Sequence, residues 1–246
     1  MNLTTVSLLN GLSGTAIVFA GILLGVFLIL RYKGSGSVQT LTLGITIMAM
    51  SFVWLGVAIN FLFYLLGIDY LEPLPYLLIM NWPLAVALPV SIYFCTFFVG
   101  TDHQKLATLM ASAFSLVYLI IVYILLPLDF ITLDSVFAVE YALDALPDST
   151  FKGITLLMTI IGLISLLIIG LTFLLTAFRT DIKLARLRGY FLGDGFTLFT
   201  LMGLGDAISE SLGSEIILVI IRLLIIVSFI ALAIGVTMPK RWFSES

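Results

Sequence analysis

Three ionisable side chains fall inside long apolar stretches of this sequence: Asp194, Asp206 and Arg222. A charged side chain in the hydrocarbon core of a bilayer costs about 2.5–3.5 kcal/mol on insertion scales, so each of the three needs a partner or a function. A carboxylate and a guanidinium can form an ion pair, hold a hydrogen-bonding ligand, or line a path for ions or protons. Which of these applies depends on the helices that position the three side chains.

Asp206 and Arg222 are predicted to meet as an ion pair between neighbouring helices. At a rise of about 1.5 Å per residue, Asp206 lies roughly 3–5 Å and Arg222 roughly 9–10 Å below the outer ends of their apolar stretches. A connector as short as residues 209–214 makes these stretches antiparallel neighbours, and the long arginine side chain can extend toward the surface. The pair is interpreted either as a structural clamp or as part of a binding site.

Three further polar side chains are placed at a similar depth: Asn60 near the end of one apolar stretch, and Asn81 and Trp82 near the start of the next. Side-chain amides in hydrocarbon form hydrogen bonds between helices, typically worth about 0.6–2 kcal/mol. With Asp206 and Arg222 they are predicted to line a polar pocket that opens to the outer side. An arginine there favours an anionic or carboxylate-bearing ligand. Because depth does not set the direction of a helix face, the structural clamp remains the alternative.

Asp194 is a separate intramembrane acid, about 9 Å in from the cytoplasmic end of its stretch. We expect it to pair with Arg188 or Lys105 at that interface. The 12 residues that separate Asp194 from Asp206 correspond to about 120° of helix rotation, so the two carboxylates do not share a face. This geometry argues against a simple proton path, although an ion or proton role for Asp194 remains an alternative.

Lipid is predicted to surround most of the chain. Of its 246 residues, 61% are hydrophobic and 10% are charged, whereas a soluble domain has about 45–50% apolar and about 25% charged residues. The sequence predicts an all-α polytopic membrane protein of the cell membrane, with one domain over residues 1–246. The first apolar stretch is expected to be an uncleaved span, because no basic region precedes it. Seven stretches meet the need for about 20 apolar residues per crossing, at about 8–30, 40–66, 76–98, 106–128, 152–178, 189–208 and 216–238.

Basic residues predict the orientation, because Lys and Arg concentrate on the cytoplasmic side of membrane proteins. Nine of them lie on one side of the membrane, after the first, third, fifth or seventh predicted span: Arg31, Lys33, Lys105, Arg179, Lys183, Arg186, Arg188, Lys240 and Arg241. Only Lys152 falls on the other side. The N-terminus is therefore predicted to lie outside and the C-terminus in the cytoplasm. Arg179, Lys183, Arg186 and Arg188 form a basic strip that suits either a cytoplasmic protein partner or anionic headgroups.

The longest outer connector, residues 129–150, is predicted to form a short amphipathic helix. Apolar residues alternate there with acids at roughly helical spacing, and Pro147 follows them. A lid over the bundle and a helix on the bilayer surface are the two interpretations. Within the spans, Gly21 and Gly25 favour close helix packing, as do the glycines that begin at Gly189. Pro83 and Pro89 are expected to bend the third span.

Most enzyme and cofactor classes lack the residues that they need. The chain has one histidine, His103, and one cysteine, Cys95, so we expect no disulfide, no metal site and no haem. No metalloprotease, nucleophile-elbow or phosphate-loop motif is present, and the last span has no lysine that could bind retinal. We therefore expect a protein that is not an enzyme, that has no cofactor and that has no nucleic-acid partner.

In outline the chain resembles the seven-span input regions that precede prokaryotic sensor kinases, and related orphan seven-span proteins of archaea. Three segments carry the resemblance: the basic run into a Gly-rich span at 185–192, the Arg222-Leu223-Leu224 segment, and the ending Pro239-Lys240-Arg241-Trp242. The resemblance implies a sensory role. In those proteins a kinase or cyclase follows the seventh span. We expect none here, so signalling would need a separate membrane or cytoplasmic partner.

Three functions follow as hypotheses. The first is a sensor-like or accessory module, receptor-like in outline, that acts in signal transduction through partner proteins. The second is a small-solute or ion transporter or channel that uses Asp194, Asp206 and Arg222. The third is a structural subunit of a larger membrane complex, with glycine faces as contact surfaces, and association of copies of this chain is an alternative use of those faces. An inverted repeat, which is frequent in transporters, is not evident in the sequence.

Overall fold

The computed structural model describes residues 5–99, 104–140, 148–212 and 215–238. The chain is predominantly helical, as predicted. The helices are α1 Thr5–Ser35, α2 Val38–Ser51, α3 Leu55–Leu66, α4 Pro73–Val99, α5 Gln104–Ile120, α6 Leu133–Val136, α7 Gly153–Arg179, α8 Lys183–Leu212 and α9 Glu215–Thr237, and the strands are β1 Phe137–Glu140 and β2 Asp148–Phe151. A single 3₁₀ turn, Phe52–Trp54, joins α2 to α3, and a π-helical segment, Ile121–Leu125, extends α5.

Six helices in the described part of the chain are long and apolar enough to cross a membrane: Ser7–Ser35, Val38–Leu66, Pro73–Phe97, Gln104–Leu125, Gly153–Arg179 and Ile217–Thr237. They correspond to the predicted spans one to five and seven. The predicted sixth span lies in α8, which has 30 residues and is long enough to cross. Its glycines and its two aspartates, Asp194 and Asp206, make it less apolar than the other six.

The α2–α3 span contains the 3₁₀ turn near its middle. A 3₁₀ turn is wound more tightly than an α-helix, so it changes the direction in which the following side chains point. Trp54 ends this turn with φ −91° and ψ 6°, and its side chain is buried. The helix stops at Gly67, whose φ of +67° provides the left-handed C-terminal cap that favours glycine.

Both predicted interior prolines, Pro83 and Pro89, lie within α4, which is continuous from Pro73 to Val99. The hydroxyl of Tyr123 donates a hydrogen bond to the backbone carbonyl of Leu78, in the turn before Pro83. Neighbouring helices commonly supply such partners to proline-containing spans. The bend expected in this span stays a prediction.

The prediction of an amphipathic helix over the outer connector is wrong for the residues that the structure describes. Helix α6 has only four residues, and β1 follows it directly and pairs antiparallel with β2, with Phe137 opposite Phe151. The physical reason is the order of residues from Phe137 to Glu140. Large Phe137 precedes small Ala138, and apolar Val139 precedes charged Glu140, an alternation with a period of two that is typical of a strand. Residues 141–147 lie outside the described residues.

Glycines bring the helices together at the core. A Cβ at Gly21 or Gly25 of α1 would overlap side chains of α2, and one at Gly193 of α8 would overlap Leu174 of α7. Helix α8 packs between α7 and α9, and α1 packs against α2 and α9. The central core contains three neighbouring rings, Phe94, Phe173 and Phe196, whose centroids lie 5.9–6.2 Å apart. The close glycine packing expected in spans one and six is therefore present.

Candidate functional site

Asp206 and Arg222 form the predicted ion pair between α8 and α9. Arg222 Nε lies 2.9 Å from Asp206 Oδ1, and the two side chains are 15% and 6% exposed, Asp206 being the more exposed. The second carboxylate oxygen, Oδ2, accepts a hydrogen bond of 3.0 Å from the indole nitrogen of Trp54. Both oxygens of Asp206 are thus held, one by α9 and the other by the α2–α3 span.

The first helix supplies further acceptors to Arg222. Its Nη1 donates to the backbone carbonyl of Asn10 at 2.7 Å, to the side-chain oxygen of Asn10, and to Ser13 Oγ at 3.1 Å. Gly14 of α1 lies next to this cluster: a Cβ there would be in van der Waals contact with Nη1 at 3.7 Å and would crowd Val57 at 3.2 Å. Charge-assisted hydrogen bonds of this kind offset part of the cost of burying an ion pair.

Sequence reasoning missed Asn10, Ser13 and Trp54 as members of this cluster. The available signal was a polar, small-residue run, Asn10-Gly11-Leu12-Ser13-Gly14, at the outer end of the first span. Neutral polar residues are common near the ends of spans, so only their position opposite a buried cation distinguishes them. Through its partners, the ion pair connects four elements: α1, the α2–α3 span, α8 and α9.

A cavity of about 310 Å³ lies beside the ion pair. Residues of the α2–α3 span, α4, α7, α8 and α9 line it, and its wall is mostly aliphatic and aromatic. Asp206 and Arg222 both line the cavity, together with apolar residues such as Leu166, Phe199 and Leu218. The cavity is therefore mostly apolar, with one strongly polar patch in its wall.

Two hydroxyls in the cavity wall are already used within their own helices. Ser91 Oγ donates to the Leu88 carbonyl at 3.0 Å, and Thr159 Oγ1 donates to the Thr155 carbonyl at 2.9 Å. Because their protons are directed to the backbone, they add little polarity to the wall. The strongly polar groups of the cavity are thus the indole, the carboxylate and the guanidinium.

Asn60, Asn81 and Trp82 do not join the cavity, although sequence reasoning grouped them with Asp206 and Arg222. Asn60 Oδ1 accepts from the backbone N–H of Leu71 at 2.9 Å and so fixes the connector after α3. Asn81 Nδ2 donates to the Leu77 carbonyl at 2.7 Å, and its oxygen accepts from the Tyr118 hydroxyl.

Trp82 is 38% exposed and packs against the ring of Phe52 at 5.7 Å between centroids. The prediction of one five-residue pocket is therefore wrong. The five residues were placed at a similar depth, but Asn60, Asn81 and Trp82 lie on helix faces that do not line the cavity.

Asp194 lies on the exposed surface of α8 and forms no ion pair with another described residue. The flanking glycines, Gly193 and Gly195, face α7 and α9 respectively, so the residue between them points away from both helices. Arg188, its expected partner, instead donates to the carbonyl of Met238 at 2.6 Å. Lys105, the other expected partner, is exposed. The expected pairing of Asp194 is therefore wrong within the described structure.

Three members of the basic strip, Arg179, Lys183 and Arg186, are exposed, whereas Arg188 is partly buried. Arg31 donates to the Thr237 carbonyl at 2.8 Å, so together with Arg188 it satisfies carbonyls at the end of α9. The structure thus leaves three cations of the strip accessible. His103, Lys240 and Arg241 lie outside the described residues.

No protein-family model matches the chain, and no curated protein matches it either. Among the described residues, no group of three His, Cys, Asp or Glu side chains could hold a metal ion. Cys95 is a free, half-buried thiol next to the aromatic core. The chemistry available at the site is therefore that of one neutralised ion pair, with its hydrogen-bonding partners, in the wall of a mostly apolar cavity.

Proposed function

We propose that the chain is a non-enzymatic, sensor-like membrane module that binds a small molecule in its cavity and acts through a partner protein. In this proposal α8 completes a seven-span bundle of the cell membrane, with the N-terminus outside and the C-terminus in the cytoplasm. The observation that carries it is the position of the Asp206–Arg222 pair, which lies in the cavity wall and also connects four helices.

A ligand beside this pair can change how the helices pack. Trp54 and Asp206 both line the cavity, and the hydrogen bond between them joins two spans. A ligand shifts such an equilibrium only when it binds one arrangement better than the other, and contact with an interhelical hydrogen bond provides that difference. Helix α8 runs from the basic strip to Asp206, so one continuous helix joins the cavity to the surface where a partner would dock.

A transport path receives less support from the geometry. Asp194 faces away from the bundle and does not line the cavity, so the three charged residues do not follow one route. Arg222 is held by α1 and by Asp206 together, and a carrier would have to break these contacts in each cycle.

Purification from native membranes tests the role of a partner. Tagged protein is to be compared with a Lys183→Gln/Arg186→Gln variant, which removes two exposed charges from the basic strip. A Lys33→Gln/Lys105→Gln variant is the matched control, because it removes two other exposed charges. We expect one defined protein to accompany the wild type and the control and to be lost from the strip variant. Recovery of the wild-type chain alone, or equal loss from both variants, would overturn the proposal.

A further inference from the structure

Helices α7 and α8 touch closely in one half of their length and separate in the other. In the half nearer the basic strip, a Cβ at Gly170 would lie 2.8 Å from the backbone nitrogen of Thr197 and 3.0 Å from the Gly193 carbonyl. In the other half, a Cβ at Gly162 would meet nothing within 4 Å, and one at Gly203 would meet only Leu163, at 3.3 Å. The two helices therefore leave a crevice on the side of the ion pair.

The cavity reaches the protein surface at this crevice. Its lining residues Leu156, Ile160 and Leu204 are 44%, 43% and 45% exposed, whereas Trp54, on the opposite wall, is 7% exposed. Helix α7 is apolar enough to span the membrane, so its exposed aliphatic residues face acyl chains. A molecule dissolved in the bilayer could reach the cavity through this opening without crossing water.

The polar patch in the cavity wall is electrically neutral. Asp206 balances Arg222 at 2.9 Å, so a carboxylate placed there would gain attraction to the guanidinium but would also be repelled by the Asp206 carboxylate. Nε and Nη1 of Arg222 donate to described residues. The hydrogen bonds found among the described residues do not use Nη2, so its two N–H groups are the donors left for a ligand. Beside a balanced charge pair, these donors suit a neutral oxygen acceptor.

From these observations we infer that the cavity takes a neutral lipophile with a single hydrogen-bonding oxygen, a long-chain alcohol or ketone in chemical class, which enters from the bilayer between α7 and α8. This inference rests on the proposed function for the use of the cavity and replaces the anionic ligand that the arginine alone suggested. The apolar body fills the space between α4 and α7, and the oxygen accepts from Arg222. At about 310 Å³, the cavity is at the lower end of the usual range for small-ligand pockets.

Quenching of Trp54 fluorescence tests the inference, because the indole lines the cavity. A Trp82→Phe/Trp242→Phe variant in lipid nanodiscs leaves Trp54 as the sole tryptophan. The probes are a long-chain alcohol and a long-chain fatty acid of equal length, both brominated in the chain, at a pH where the acid is ionised. A Trp54→Phe/Trp242→Phe variant is the control, because the exposed Trp82 reports partition into the bilayer.

We expect the alcohol to quench Trp54 saturably and Trp82 only in proportion to its concentration. The acid should need about tenfold more probe for half-maximal quenching of Trp54, which corresponds to about 1.4 kcal/mol. Gly162→Leu should weaken the saturable component, since a Cβ at this position meets nothing within 4 Å and the longer side chain would occupy the crevice. Ile164→Phe, which adds bulk on an exposed face that does not line the cavity, should not.

Four results would overturn parts of these proposals separately. Equal or tighter quenching by the acid would replace the neutral ligand with an anionic one. Saturable quenching that Gly162→Leu leaves unchanged would reject the opening between α7 and α8. Absence of saturable quenching by either probe would reject the inference, whereas recovery of a defined partner in the purification experiment would still support the sensor-like role. Saturable alcohol quenching without any partner would reject that role and support the ligand class.

Discussion

At the scale of single residues, Arg222 is the cation on which the site depends. It is 5% exposed and donates to Asp206, Asn10 and Ser13. Burying two opposite charges is costly, and removing only one of them leaves the other buried without its partner. The contribution of the pair is therefore measured by comparing single and double substitutions.

The single change Arg222→Leu should destabilise the protein more than the double change Asp206→Asn/Arg222→Leu does. The single change leaves the Asp206 carboxylate with the Trp54 indole but without its cation, at a cost of about 3–5 kcal/mol. The double change removes both charges together, so its cost should be smaller than the sum of the two single changes. Denaturation midpoints of all four proteins in mixed micelles give this comparison. Additive losses would show that the two side chains are not coupled.

Asp194→Leu should stabilise the protein, in contrast to the changes at the ion pair. Asp194 is exposed on α8. In the proposed seven-span arrangement its carboxylate faces lipid, so removing it should recover up to about 2.5–3.5 kcal/mol. Asp181→Leu is the matched control, since Asp181 is also exposed but lies in the connector between α7 and α8. Unfolding midpoints in nanodiscs are the measurement. A lower midpoint for Asp194→Leu would mean that the carboxylate has a stabilising partner in the membrane.

The residues of the site were only partly predictable from the sequence. Opposite charges on two adjacent apolar stretches strongly favour pairing, so Asp206 and Arg222 could be paired in advance. The partners of Asn60 and Asn81 could not be predicted. A buried amide can form hydrogen bonds with many different backbone groups, and the sequence does not indicate which of these groups it uses. Trp54 could not be assigned, since its orientation depends on a 3₁₀ turn that leaves no clear mark in the apolar pattern.

At the scale of elements, hydropathy located the helices because lipid requires long apolar segments with internally satisfied backbones. It did not give their true ends. Helix α8 begins at Lys183, six residues before the predicted span at 189, since a helix can continue into water where hydropathy falls. The hairpin of β1 and β2 was missed for a related reason: four-residue strands carry too few alternating positions to outweigh an apparent helical pattern.

Two glycines of α7 should respond oppositely to the same substitution. Gly162→Ala places its methyl group in open space and should raise stability by up to about 1 kcal/mol, because alanine favours helix. Gly170→Ala places it against backbone atoms of α8 and should lower stability by about 1–3 kcal/mol. Thermal unfolding midpoints of the two variants and the wild type test the asymmetric packing of α7 on α8. Equal effects at both positions would contradict the crevice.

At the scale of the whole molecule, charge is separated along the bundle. Exposed cations gather around the connector between α7 and α8, and Arg31 and Arg188 bind the carbonyls that end α9. Positive side chains interact favourably with the C-terminal ends of helices. Part of the basic bias that predicts the cytoplasmic side therefore also has a structural role, so orientation requires a direct test.

Accessibility of introduced cysteines distinguishes seven spans from six. In a Cys95→Ser background, Asp69→Cys should react with a membrane-impermeant maleimide in intact cells, whereas Ser35→Cys and Asp181→Cys should react only after permeabilisation. Asp69, in the connector after α3, and Ser35, the last residue of α1, are both exposed and lie at opposite ends of the α2–α3 span, so they calibrate the two sides. Ser211→Cys then decides the path of α8: labelling in intact cells means that α8 crosses the bilayer.

Protection of Ser211→Cys until permeabilisation would keep both ends of α8 on the cytoplasmic side. Helix α9 would then begin in the cytoplasm, and its C-terminal end, which Arg31 and Arg188 contact, would have to lie outside. That arrangement conflicts with the direct hydrogen bonds from those two arginines to the end of α9. Ser35 and Asp181 lie close to the arginines in the chain and would label from the inside. The hydrogen bonds therefore predict that α8 crosses even though its glycines and aspartates make it the least apolar of the long helices.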